Sequence, residues 1–179
     1  MTGTGRTAVF LIALFLALAG GAEARERDPA GNPLAGADAW SIVGGPLPDL
    51  EGRERNLSDW RGKVIILNFW APWCPPCRAE VRQLIGYQAR FGGQNLQVIG
   101  VGLDDGEKLA EFVAREGVNY PVLVAGRDDP LLSPAWGNPK RRIPYTVVIA
   151  PDGRVFHSEY GGFDDLSFGV VVEPLLSGP

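Results

Sequence analysis

Two apolar runs of strand length stand out along the chain, Lys63–Trp70 and Leu96–Leu103. The first holds Val64, Ile65, Ile66, Leu67 and Phe69 with almost no alternation, the pattern of a central strand covered on both faces. Between the runs, Val81, Leu84, Ile85, Gln88 and Phe91 recur at spacings of three and four, with Arg78, Arg82 and Arg90 elsewhere on the turn. That period predicts an amphipathic helix from Pro75 to about Phe91, with Pro75 at its first position. A second helix is predicted over Glu107–Glu116, closed by Gly117, and a short strand over Pro121–Ala125. A Pro- and Asp-rich stretch with one or two helical turns follows. Tyr145–Ala150 and Arg154–Tyr160 read as a hairpin across Pro151-Asp152-Gly153, and a last helix is predicted over about Asp164–Leu176.

Upstream, Ala39–Val43 and Arg53–Leu57 read as short extended pieces, and Ser58–Gly62 as a turn or single helical turn. The order β-α-β-α-β-β-α predicts an α/β three-layer sandwich on a central mixed β-sheet, with a short N-terminal β extension.

The chain begins with Arg6, a dozen apolar residues over Ala8–Ala19, and then Ala22-Glu23-Ala24. This is the layout of an export signal, expected to be cleaved after Ala24. The apolar stretch falls short of the roughly 20 residues of a membrane-spanning helix; a tether through residues 7–20 is the alternative. Residues 25–38, rich in charge, Gly and Pro, are expected to be a flexible spacer. Residues 39–179 then form one domain of ordinary size. Removing residues 1–24 takes away Arg6 and Glu23 and leaves the net charge at −4. That mild acidity argues against a nucleic-acid binder, which carries a basic footprint.

The chain's two cysteines are Cys74 and Cys77, in Trp73-Cys74-Pro75-Pro76-Cys77, just after the first apolar run. A helix N-terminus there would stabilise a thiolate on Cys74 through its unpaired N–H groups and dipole. Cys77, one turn further in, could attack a mixed disulfide formed on Cys74. The pair therefore points to thiol–disulfide chemistry. A purely structural bridge would close so small a loop that it contributes only about 2 kcal/mol. A closed zinc site would need two more soft ligands, and the chain offers a single histidine, His157. An exported chain would hold these cysteines in an oxidising compartment, where a working dithiol needs a source of electrons. Pro75 and Pro76 carry no backbone N–H, so two donors that could face a Cys74 thiolate are missing. Weaker thiolate stabilisation predicts a relatively reducing couple.

The block Leu67-Asn68-Phe69-Trp70-Ala71-Pro72-Trp73-Cys74-Pro75-Pro76-Cys77-Arg78-Ala79-Glu80 resembles the thioredoxin superfamily, and more narrowly its TlpA/ResA/DsbE-like exported thiol–disulfide oxidoreductases. Leu57–Lys63 before it and Ile143–Gly153 after it extend the resemblance over about residues 46–172. The resemblance implies a thioredoxin-like fold, Cys74 as nucleophile and Cys77 as resolving thiol. It implies a cis bond between Ile143 and Pro144 beside the cysteines, where Ile143 can pair with a substrate peptide. Trp73 is expected either to contact substrate or simply to pack. Asn68 stands where ordinary thioredoxins carry a proton-shuttling aspartate, and an amide cannot titrate. Glu80 is the alternative carboxylate, expected either to tune the cysteines or merely to complement the helix dipole. No cofactor is implied beyond the Cys74–Cys77 redox disulfide, and no metal.

The implied clients are disulfide-bearing exported proteins in the bacterial periplasm, with cytochrome c or other metalloprotein maturation as the setting. The implied electron donor is a membrane thiol reductase of DsbD/CcdA type. A thiol oxidase of opposite direction and a thioredoxin-like copper chaperone remain rivals, the latter because soft thiolates bind copper(I). Lys140-Arg141-Arg142, just before Ile143, is either a solvated cluster or a dock for an acidic partner. His157 is expected to be a surface or packing residue.

Overall fold

A computed structural model describes residues 34–42, 45–126 and 136–177. The predicted export signal, most of the predicted spacer and residues 127–135 of the Pro- and Asp-rich stretch lie outside these residues. Among the described residues, no helix is long and apolar enough to cross a membrane.

The element order is α1 (Ala39–Ile42), β1 (Leu47–Pro48), β2 (Glu54–Arg55), a 3-10 turn (Leu57–Trp60), β3 (Val64–Trp70), α2 (Pro75–Phe91), β4 (Leu96–Leu103), α3 (Gly106–Glu116), β5 (Val122–Ala125), β6 (Tyr145–Ile149) and β7 (Val155–Tyr160). The chain ends in a continuous helical segment: α4 (Asp165–Ser167), a π-helical stretch (Phe168–Val172) and α5 (Glu173–Leu176). The main sheet runs β5-β4-β3-β6-β7. β3, β4 and β5 are parallel; β6 and β7 are antiparallel to their neighbours. This is an α/β fold on a mixed sheet, as the element order predicts.

β3 and β4 are buried at every position, which explains their unbroken apolar character. On one face of the sheet lie Asn68 and Trp70 of β3, with Gly100 and Gly102 as their β4 partners. The helices cover this face. Trp70 meets Phe112 of α3 with ring centroids 4.8 Å apart. Gly102 lets α3 approach: a Cβ there would fall 2.5 Å from Leu109 Cδ2. The C-terminal segment joins the same layer through Phe168, stacked on Tyr87 of α2 at 4.1 Å. On the opposite face, Leu67, Phe69, Val101 and Leu123 meet Leu47 and Leu57 of the N-terminal arm and Trp136 in an apolar crevice. The arm is tied to the sheet edge by the Asp49–Leu123 bridge.

Three local expectations are corrected. Ala39–Ile42 is helical, not extended, because Asp38 caps it: Oδ1 accepts from Trp40 N–H at 3.1 Å and Oδ2 from Ser41 Oγ at 2.7 Å. The end of the predicted spacer is not free either. Leu34 and Ala37 are buried, the Gly36 N–H donates to Val155 O, and the Val155 N–H donates to Ala37 O. The last helix is not uniform. Pro174 has no N–H for the carbonyl four residues back and its ring crowds that carbonyl; the preceding turn widens to π geometry, with Glu173 N–H bonding Phe168 O.

Candidate active site

Cys74 occupies the N-cap of α2, with extended backbone at φ −91° and ψ 107°. Pro75 and Pro76 fill the next two positions, where a helix leaves N–H groups without intrahelical acceptors. The first amide available after them belongs to Cys77, and it donates to Cys74 Sγ at 3.3 Å. The two prolines thus remove two donors, and the third is aimed at the sulfur. Cys74 and Cys77 form a disulfide, their Cα atoms 5.3 Å apart. Cys74 is 4% exposed and Cys77 fully buried, so a partner reaching the pair from solvent meets Cys74 first.

Trp73, immediately before the pair, is 55% exposed. It is not a core residue. The Ile143–Pro144 bond is cis. Pro144 directly precedes Tyr145, which pairs with Phe69 near the end of β3; this places it at the end of the sheet from which the Cys74 turn leaves. Pro144 is buried and Ile143 half-buried. Just before them, Lys140, Arg141 and Arg142 are exposed. Asn138 shapes this loop, its Oδ1 accepting from Arg142 N–H at 3.0 Å and its Nδ2 donating to Arg142 O at 2.9 Å.

Glu80 is 1% exposed. It therefore does not face solvent from the helix surface. Its Oε1 accepts from Thr146 Oγ1 at 2.7 Å and from the Phe163 N–H at 3.1 Å. Thr146 Oγ1 in turn accepts from Asn68 Nδ2 at 2.8 Å. Glu80 Oε2 and Asn68 Oδ1 are buried without a hydrogen-bond partner. Burial raises the Glu80 pKa from the ordinary carboxylate range to about 7; the hydrogen bonds from Thr146 and the Phe163 N–H, with the nearby Asn68 amide, oppose the rise, and the Glu159 charge adds to it. Near neutral pH this acid can take up or release a proton one helical turn from Cys77.

The structure therefore brings Cys74, Cys77 and Glu80 onto the first turns of α2, with Trp73, Ile143 and Pro144 at the same end of the sheet. Asn68 supports Glu80 through Thr146 without titrating. Thr146, the Phe163 amide and Glu159 were not among the candidates from sequence. One signal was available: Asn68 and Thr146 are polar residues inside otherwise apolar strands, and buried polar groups need partners. His157 is part-buried on β7, with Nε2 3.1 Å from Glu159 Oε2.

Comparison with known proteins gives a consistent family. A model of the AhpC/TSA family matches residues 45–158. The thiol-disulfide oxidoreductase ResA of Bacillus subtilis is 34% identical over 122 residues, 67% of this chain and 64% of the relative. ResA of Geobacillus thermodenitrificans is 33% identical over 110 residues, 61% of each chain. The chain thus spans a little over three fifths of the length of these relatives. Among solved structures, a Chlorobium tepidum thiol:disulfide interchange protein assigned as DsbE matches with a TM-score of 0.64 at 27% identity, covering 76% of this chain and 92% of that one.

Proposed function

The chain belongs to the AhpC/TSA family, in its thioredoxin-like ResA/DsbE branch, and from that premise we propose that it reduces disulfides of exported client proteins through Cys74 and Cys77. The observation that carries the exchange chemistry is the Cys77 amide aimed at Cys74 Sγ across 3.3 Å; the reductive direction is supported by Pro75 and Pro76, which leave that amide as the first donor of the helix start. A backbone donor held there favours a thiolate on the more accessible sulfur, the form that attacks.

In the reduced protein, the Cys74 thiolate attacks one sulfur of a client disulfide. The client S–S bond breaks, its second sulfur leaves as a thiolate and takes up a proton, and a Cys74–client mixed disulfide forms. Cys77 then gives up its proton and attacks Cys74 Sγ. The mixed disulfide breaks, the client's remaining sulfur leaves as the second thiol, and the Cys74–Cys77 disulfide forms. Two electrons pass from this protein to the client. Glu80 is the acceptor for the Cys77 proton in this reading, because it is buried one turn away and its affinity for a proton is matched to neutral pH. Trp73 and the Ile143 backbone form the client-contacting rim.

The protein works in the periplasm, exported by residues 1–24 or held at the membrane by residues 7–20. A membrane thiol reductase of DsbD/CcdA type regenerates the dithiol. The clients are disulfide-bearing proteins such as apocytochrome c or other proteins whose cysteines must be free to receive a metal or cofactor. The reduction potential of the Cys74–Cys77 couple tests the direction. A value below about −220 mV supports a reductant; one near −120 mV would make the protein an oxidant of exported thiols instead.

A further inference from the structure

Thr146 on β6 and Glu159 on β7 are direct partners in an antiparallel pair. Residues so placed have side chains on the same face with Cβ atoms about 5 Å apart. Thr146 Oγ1 is the group that donates to Glu80 Oε1, so the two carboxyl groups flank one threonine beneath α2. Each has an oxygen that is buried and has no hydrogen-bond partner: Oε2 of Glu80 and Oε1 of Glu159. The other oxygen of Glu159 is engaged. Its Oε2 lies 3.1 Å from His157 Nε2 and accepts from Ser167 Oγ of α4 at 3.3 Å.

We propose that Glu159 is a positioning residue for the redox site: fixed by His157 and Ser167 across Thr146 from Glu80, it keeps the proton of the acid pair on Glu80. The asymmetry of the hydrogen bonds sets this direction. Glu159 is part-exposed, and its Oε2 lies beside an imidazole nitrogen and a serine hydroxyl. Glu80 is enclosed and bonded to a hydroxyl and an amide. Two nearby carboxyl groups cannot both ionise cheaply, and the proton stays on the less solvated one.

The groups facing the pair are few. α2 contributes Cys77, β3 the Asn68 amide, β6 Thr146, and the segment before β5 contributes Tyr120, which is buried and feels the Glu80 charge. β7 contributes His157, α4 contributes Ser167, and the preceding loop contributes the Phe163 N–H. Asp164 and Asp165 at the start of α4 are exposed. Among the described residues, no lysine or arginine forms an ion pair with either glutamate. Glu159 therefore matters to the cysteines through Glu80, and His157 matters through Glu159. This rests on the reading of Glu80 as the proton acceptor for Cys77.

The test reads the Glu80 carboxyl directly, by infrared titration of the full chain in the oxidised state, where no exchange is needed. The Glu80→Gln variant identifies the band. Glu159→Gln keeps the shape and removes the charge; it should move the Glu80 midpoint to lower pH by about one unit. Glu159→Asp keeps the charge and shortens the chain, and should titrate like the wild type. A merely structural role for Glu159 predicts the reverse order, with Asp more disruptive than Gln. An unchanged midpoint in Glu159→Gln, or an equal shift in Glu159→Asp, would overturn the proposal. Loss of client reduction in the wild type would count against the functional reading without touching this result.

Discussion

Thr146 joins Glu80 to the sheet. Its Oγ1 donates to Glu80 Oε1 at 2.7 Å while accepting from Asn68 Nδ2 at 2.8 Å. One hydroxyl thereby links the redox helix to two adjacent strands inside an apolar core. Replacing Thr146 by Val keeps the shape and leaves both neighbours short of a partner. The expected cost is about 1–3 kcal/mol, measured by urea unfolding, because buried groups left without hydrogen bonds are expensive. Thr146→Ser should recover most of it. The Glu80 proton should also bind more tightly in the Val variant, since a bond that favours the charged form is lost. Equal stability of the Val and Ser variants would argue against the hydroxyl as the link.

The Glu80 carboxyl makes stability depend on pH. Burial raises its pKa in the folded protein to about 7, above the ordinary glutamate value of 4.5, so folding takes up a proton between these pH values. The neutral acid is tolerated in full below the window, and stability falls as the pH rises through it. The loss amounts to about 3 kcal/mol across the window. Glu80→Gln should flatten this slope and be the more stable of the two proteins at pH 8. Parallel curves of unfolding free energy against pH for wild type and variant would refute it.

The cysteines should divide their roles by exposure. Cys74→Ser is expected to abolish exchange, and Cys77→Ser to accumulate mixed disulfides through Cys74, visible on a non-reducing gel. In the reduced wild type, Cys74 should be alkylated first. Faster labelling of Cys77 would invert the assignment.

Trp73 presents its ring to solvent beside Cys74. Its replacement by Ala should slow reduction of a protein client about tenfold, as removal of an exposed aromatic anchor does at interfaces. Reaction with a small disulfide reagent should change little. Equal losses with both substrates would place Trp73 in the support of the helix start rather than in client contact.

What sequence alone determined was what short-range patterning can carry. β3, β4, α2 and α3 fall within a residue or so of their predicted bounds, because unbroken apolar runs and a clean helical period leave little choice. The cysteine pair was equally legible: Cys74, Pro75, Pro76 and Cys77 are contiguous, and their geometry follows from one helix start. Where a side-chain cap or a distant proline decided the backbone, the pattern misled. Ala39–Ile42 reads as a strand until Asp38 is seen capping it, and Pro174 widens a turn that periodicity treats as regular.

The environment of Glu80 belongs to the tertiary structure. Its position three residues after Cys77 assigns it to α2 but is silent on what it faces. The partners that hold it are Thr146, 66 residues away, and the Phe163 amide, 83 residues away. Glu159 reaches it only through the β6–β7 register. Burial and neighbouring charge set a proton affinity, and both are sums over contacts made when the sheet closes against α2. A chain can therefore declare its redox sulfurs locally, while the acid that serves them acquires its chemistry only once the strands are paired.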